Sequence, residues 1–122
     1  MLSTVKELLQ SADSYAVGGF NVYNLEGVQA VVRAAEQAQS VCIIQVHPAA
    51  LAVAGIPLLN LAVAYAEFAH VPIAVHLDHC SDLSIIDAAL SAGVRSVMAD
   101  GAHLAYADNV RYVQAVAQKA HA

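Results

Sequence analysis

The chain has 122 residues, of which 59% are hydrophobic and 12% charged, and its formal net charge is −5. With five Lys and Arg and no basic run, it lacks the means to bind nucleic acid by neutralising phosphates. The length suits one domain or part of a larger one, and the mean hydropathy of +0.58 lies above ordinary globular usage.

No Asp, Glu, Lys or Arg occurs between Glu36 and Glu67, a gap long enough to cross a bilayer. Gln45, His47-Pro48, Gly55, Pro57 and Asn60 interrupt it. So many breakers and polar groups argue against a membrane span and for burial inside an α/β protein. Cys42 and Cys80 form no CxxC pair. With no leader visible, free thiols in a reducing cytoplasm are the expectation.

Helix and strand patterns alternate along the chain. Residues 2–12 predict an opening helix with Ser3 as N-cap, and 15–22 a strand. The spacing of Val28, Val31, Val32 and Ala35 predicts a helix over 24–39, capped by Asn24. "VCIIQV" (41–46) is a second strand, and 48–55 a loop or short helical turn. A helix over 57–70 starts at Pro57. "VPIAVHLDH" (71–79) is a third strand, and 82–93 a helix stopped by Gly93. "VRSVMAD" (94–100) is a fourth strand, and 105–122 a last amphipathic helix. Short loops and strands apolar on both faces imply a parallel sheet, either doubly wound or a (β/α) barrel. A full eight-stranded barrel takes about 250 residues. The expected fold class is therefore α/β, with parallel (β/α) units forming about half of a TIM barrel: four strands and four to five helices in one partial domain over 1–122.

Each strand ends in a polar side chain: Asn21 on the first, Gln45 and His47 on the second, His76, Asp78 and His79 on the third, Asp100 on the fourth. Parallel architectures place their sites at the carboxyl ends of strands. Strand ends are also where solvent begins, which accounts for Asn21 and Gln45 taken alone. His76 and Asp78 share a strand face and His79 lies opposite, unless the turning chain swings it into the same mouth. A neutral imidazole is the commonest protein metal ligand. One His with two Asp is compatible with zinc or another divalent ion, although a closed zinc site wants more nitrogen or sulfur ligands. His76 reads as a core histidine satisfied by hydrogen bonds, and His79 as the ligand.

"YAVGGFNVYNLEGVQAVVRAAEQAQSVCIIQV", "VPIAVHLDHC" and "AGVRSVMADGAHL…NV" occur in the order seen in the class II, zinc-dependent ketose-bisphosphate aldolases. The chain resembles that family from Met1 to Ala122. The resemblance implies a TIM barrel, reversible cleavage of fructose- or tagatose-1,6-bisphosphate, and dimers or tetramers. It implies that Asp78 transfers the proton, that His79 binds the catalytic Zn2+, and that Asp100 binds a second divalent or monovalent cation. It places Asn21 at the substrate. Gln45 and His47 are further substrate-binding candidates. The zinc mechanism the resemblance implies needs no Schiff-base lysine, which fits Lys6 and Lys119 on outer helices.

Departures from the family pattern are specific. His47 stands where the family has a phosphate-contacting serine. Ala102 and Ala105 replace a Ser and a Pro, and His103 reads as structural. Two further zinc-binding histidines and a glycine-rich phosphate loop belong to later strands in the family. None of His70, His103 and His121 falls at those positions. The sequence therefore reads as the amino-terminal half of an aldolase barrel that stops after its fourth βα unit. It should self-associate, mispack or need a carboxyl-terminal half. The alternatives are a degenerate aldolase-like domain with a binding or assembly role, and an unrelated α/β metal-binding half-barrel.

Overall fold

The computed structural model describes residues 1–121. The elements are β1 (Leu2–Ser3), α1 (Val5–Ser11), β2 (Gly18–Asn21), α2 (Leu25–Ala38), β3 (Cys42–Val46) and α3 (Pro48–Ala54). They continue with α4 (Pro57–Phe68), β4 (Ile73–Cys80), α5 (Leu83–Ser91), β5 (Ser96–Ala99) and α6 (Tyr106–Ala120). All strand pairs are parallel, and β2, β3, β4 and β5 lie side by side in chain order. That is the order of successive (β/α) units in a barrel, and among these four no strand is skipped as in a doubly wound sheet.

Two expectations are corrected. The described residues hold five strands and six helices rather than four strands and four to five helices. The extra strand, β1, is two residues long and pairs with Ile73 and Ala74 of β4. Such a short strand leaves no periodicity to read and exists through its partner. The extra helix is α3, seven residues long where a loop or a short helical turn was the expectation. In addition, Ser3 belongs to β1, and the cap of α1 is Thr4. The Thr4 hydroxyl accepts from the Glu7 backbone N–H, and the Glu7 carboxylate accepts from the Thr4 backbone N–H, closing a capping box.

Local chemistry sets the other boundaries. The Asn24 side chain accepts from the Gly27 N–H at 2.9 Å and starts α2. Val28, Val32 and Ala35, spaced by four and three, are its buried stripe. α3 and α4 each begin at a proline. They meet at 107°, so the charge-free stretch folds back on itself, and among the described residues no single helix is long and apolar enough to cross a membrane. The Asp82 side chain caps α5 by accepting from the Ser84 N–H at 2.7 Å. Gly93 follows α5 with φ +90°, a backbone that glycine adopts without strain.

The core lies between one face of the sheet and the helices. Cys42, Ile44 and Val46 of β3 alternate with half-buried Ile43 and Gln45. Ile73, Val75 and Leu77 of β4 join them with Leu58, Leu59, Ala62 and Ile86 from the helices. Small residues dominate this cluster and let helices approach the sheet closely. Its packing holds the strand ends in register, and those ends carry the polar groups.

Candidate active site at the strand ends

Asn21 pairs in register with Gln45, Gln45 with His76, and His76 with Ser96. In a parallel sheet, residues in register point to the same side, so four strands present one polar row. Two positions further on, Asp78 and His47 continue the same sides of β4 and β3. Gln45 leans back across its neighbouring strand: a Cβ built on Gly19 would meet Gln45 Oε1 at 2.5 Å. The absence of a side chain at Gly19 is what admits the Gln45 amide there.

Alternation alone would point His79 to the opposite side from Asp78. The structure resolves this with an irregularity: the β4–β5 register shifts between Leu77 and Cys80. His79 sits there with φ +49°, a left-handed conformation uncommon outside glycine. A bulge of this kind re-aims a side chain. His79 consequently turns its Nε2 to within 3.9 Å of Asp78 Oδ1. The Cys80 carbonyl beyond the bulge accepts from the Asp100 N–H at 2.9 Å and from the Tyr112 hydroxyl at 2.8 Å. These bonds tie the end of β4 to the loop after β5 and to α6.

Asp78 lies between two imidazoles. His76 Nε2 and His79 Nε2 are each 3.9 Å from the same oxygen, Oδ1. Each ring is anchored at Nδ1 from the β5 side. His76 Nδ1 is 2.8 Å from Ser96 Oγ, and His79 Nδ1 is 2.8 Å from Asp100 Oδ2. The anchors push the rings in different ways. Burial holds the His76 pKa below its ordinary value, opposed by the Asp78 charge. The hydrogen bond to Asp100 raises that of His79, which is half exposed, with the Asp78 charge assisting. The Asp100 carboxyl is held below the usual range by that bond and by the Ala102 N–H, which donates to Oδ1 at 3.0 Å.

His47 follows β3 and caps α3, its Nδ1 accepting from the Ala49 N–H at 3.1 Å. Its ring lies 6.4 Å from that of His79. His47, Asp78, His79 and Asp100 thus gather at one mouth, with Asn21, Gln45 and His76 in the row beneath. His76 was expected as a core histidine satisfied by hydrogen bonds; it is half-buried and has one hydrogen bond, at Nδ1. Cys80 is fully buried. Lys119 is paired with Asp87 at 2.6 Å on the outer helices. The sequence reading assigned no role to Ser96. The available signal was its place four residues before Asp100, facing the same way as His76 once the strands are registered.

Among the described residues, no three His, Cys, Asp or Glu side chains converge as a group that could hold a metal ion. The donors fit a divalent cation in part. With Nδ1 engaged by Asp100, His79 keeps Nε2 as a ligand nitrogen, oriented by a carboxylate as metal-binding imidazoles commonly are. The Asp78 oxygen beside it is a hard donor. The remaining positions of a tetrahedral shell would take donors beyond this set.

Comparison with known proteins gives the chain a family and a fold. The family model described as fructose-bisphosphate aldolase class-II matches residues 3–122. A fructose-bisphosphate aldolase from Thermus caldophilus is 41% identical over 124 residues, covering 100% of this chain and 41% of that protein. A sulfofructosephosphate aldolase from Alkalicoccus urumqiensis is 38% identical over 118 residues, covering 94% of this chain and 41% of its own. The crystal structure of the YdjI aldolase from Escherichia coli K12 superimposes with a TM-score of 0.91 at 29% identity, covering 99% of this chain and 47% of that one. The chain thus spans about two-fifths of the length of the curated relatives it matches. Fold order and the match across 3–122 agree: the chain belongs to the class II fructose-bisphosphate aldolase family.

Proposed function

We propose that residues 1–122 form part of an aldolase barrel that cleaves a ketose bisphosphate reversibly with a divalent metal, zinc by the family's habit. Fructose- or tagatose-1,6-bisphosphate would give dihydroxyacetone phosphate and glyceraldehyde 3-phosphate. The observation that carries this reading is the position of Asp78 Oδ1, 3.9 Å from the free Nε2 of His79. An acid/base carboxylate and a ligand nitrogen then serve one reacting centre.

Aldol cleavage breaks the C3–C4 bond of the ketose. Asp78 accepts the proton from the C4 hydroxyl as that oxygen becomes the aldehyde, and returns it in the condensation direction. The other fragment keeps the bonding electron pair, delocalised onto its carbonyl, and later takes a proton at C3. A bound zinc ion supplies Lewis-acid polarisation of that carbonyl. His79 and further donors would hold the ion. Asp100 acts on it through His79, and each of its oxygens keeps a lone pair with which it could ligate a second cation. Asn21, Gln45 and His47 bind substrate oxygens. With Nδ1 accepting from Ala49, the ring proton of neutral His47 sits on Nε2, so this ring offers a donor suited to a substrate oxygen. The assembly is cytoplasmic, with a homo-oligomer or a carboxyl-terminal half completing the sheet.

The test is zinc stoichiometry and cleavage of fructose, tagatose and sulfofructose phosphates by the intact protein. Asp78→Ala should keep its zinc and lose about 10²- to 10⁴-fold in kcat. His79→Ala should lose zinc. An Asp78→Ala protein that cleaves at the wild-type rate would refute the assignment.

A further inference from the structure

Asp78 faces two rings at the same distance, and only one of them is a proposed metal ligand. The other, His76, has no part in the mechanism above. Its position is nonetheless well determined. It lies in register with Ser96 on the neighbouring strand, its Nδ1 is 2.8 Å from Ser96 Oγ, and its side chain is only 17% exposed. Asp78 is similarly enclosed at 15%.

We infer that Ser96 is a positioning residue for the acid/base carboxylate, acting through His76: its hydroxyl holds the ring so that an Nε2–H faces Asp78. This rests on the role proposed for Asp78. A serine hydroxyl can donate or accept, so the Ser96 contact alone leaves the His76 tautomer open. The opposite side of the ring decides it. An ionised carboxylate only accepts, so the proton of a neutral imidazole belongs on Nε2, and Nδ1 takes the Ser96 hydroxyl as its donor. Burial favours the neutral ring, which carries one proton to place.

The 3.9 Å gap between Nε2 and Oδ1 exceeds a hydrogen bond, but catalytic hydrogen bonds are often long before substrate is bound. The pairing also explains why the two rings have unlike anchors. A carboxylate at Nδ1 makes His79 a better ligand, whereas a hydroxyl at Nδ1 makes His76 a directed donor to Asp78. Oxygen Oδ1 is then steered from the β5 side through His76, and the carboxylate keeps one orientation for proton transfer.

The experiment uses the intact protein with 15N-labelled histidine, and compares wild type with Ser96→Ala, Ser96→Thr and Asp78→Ala. Wild-type His76 should show the Nε2–H tautomer, and Ser96→Ala should shift it toward a mixture. In the same variant kcat should fall by about tenfold to a hundredfold, as expected for a displaced catalytic group. KM and zinc content should stay unchanged. Ser96→Thr, which keeps the hydroxyl in a residue suited to strands, should restore both tautomer and kcat. An Nδ1–H tautomer in wild type overturns the inference. So does an unchanged kcat in Ser96→Ala, or a loss of kcat that tracks loss of fold or zinc and is not restored by threonine. Full activity in Asp78→Ala overturns the acid/base reading itself, while the tautomer of His76 still reports on the Ser96 contact.

Discussion

His79 Nδ1 lies 2.8 Å from Asp100 Oδ2, joining the bulged end of β4 to the residue that follows β5. The contact spans 21 positions of sequence and is available only after β4 and β5 have paired. It links the folding of the sheet to the readiness of the proposed metal ligand.

The pH window of that pair follows from its two shifts. His79 is raised above its ordinary 6.5, so its stabilising share is complete below 6.5 and fades as pH rises through the folded-state value. Asp100 is lowered below 3.8, so its share is present above 3.8 and fades as pH falls through the folded-state value. The bond is strongest between those limits. In the metal-free protein, Asp100→Asn should lower the His79 titration midpoint toward its ordinary range, read by NMR of the ring protons. An unchanged midpoint would mean that Asp100 does not hold the ring.

Gly19 and Gln45 form a second dependent pair. Gly19→Ala places a methyl group 2.5 Å from Gln45 Oε1, so the amide must leave its position over β2. The displaced atom is the end of a flexible side chain, so the expected cost is modest, roughly 1 kcal/mol. Gln45→Ala in the same chain should relieve part of it, giving a non-additivity of about 0.5 kcal/mol in a denaturant-melt double-mutant cycle. KM for the substrate should change in Gly19→Ala because the Gln45 amide can no longer rest over β2. Additive costs and an unchanged KM would remove Gln45 from the site.

The two thiols should be inert in the native state. Both are buried, and burial pushes Cys42 up to about 11 and raises Cys80 as well. At pH 8 roughly one Cys42 in a thousand is a thiolate, and the thiolate is the reactive form. Titration with a disulfide reagent should therefore be slow in buffer, and both thiols should react at once in denaturant. Rapid labelling of native protein would show that the β3–β4 core opens readily.

Much of the fold is legible in the chain because its signals are local. A helix advertises itself by the four-and-three spacing of Val28, Val32 and Ala35, and a buried strand by "VCIIQV" between breakers. Asn24, Pro57 and Gly93 mark boundaries through backbone chemistry that needs no distant partner. β1 was illegible for the converse reason. Two residues carry no period, and Leu2–Ser3 is a strand only because β4 offers it an edge. The first N-cap shifted from Ser3 to Thr4 on the same account, since pairing claims Ser3 for the sheet.

The site divides along the same line. Sequence alone determined which chemical groups arrive at the strand ends: HLDH after an apolar run, Asn21, Gln45, His47 and Asp100, in the order of a class II aldolase. Tertiary structure decided how they face one another. Parallel register put Asn21, Gln45, His76 and Ser96 in one row, and the irregularity between Leu77 and Cys80 turned His79 toward Asp78 against its alternation. The reason is physical. Residue identity and short-range period are written along the chain, whereas register and bulge position depend on hydrogen bonds between strands twenty or more residues apart.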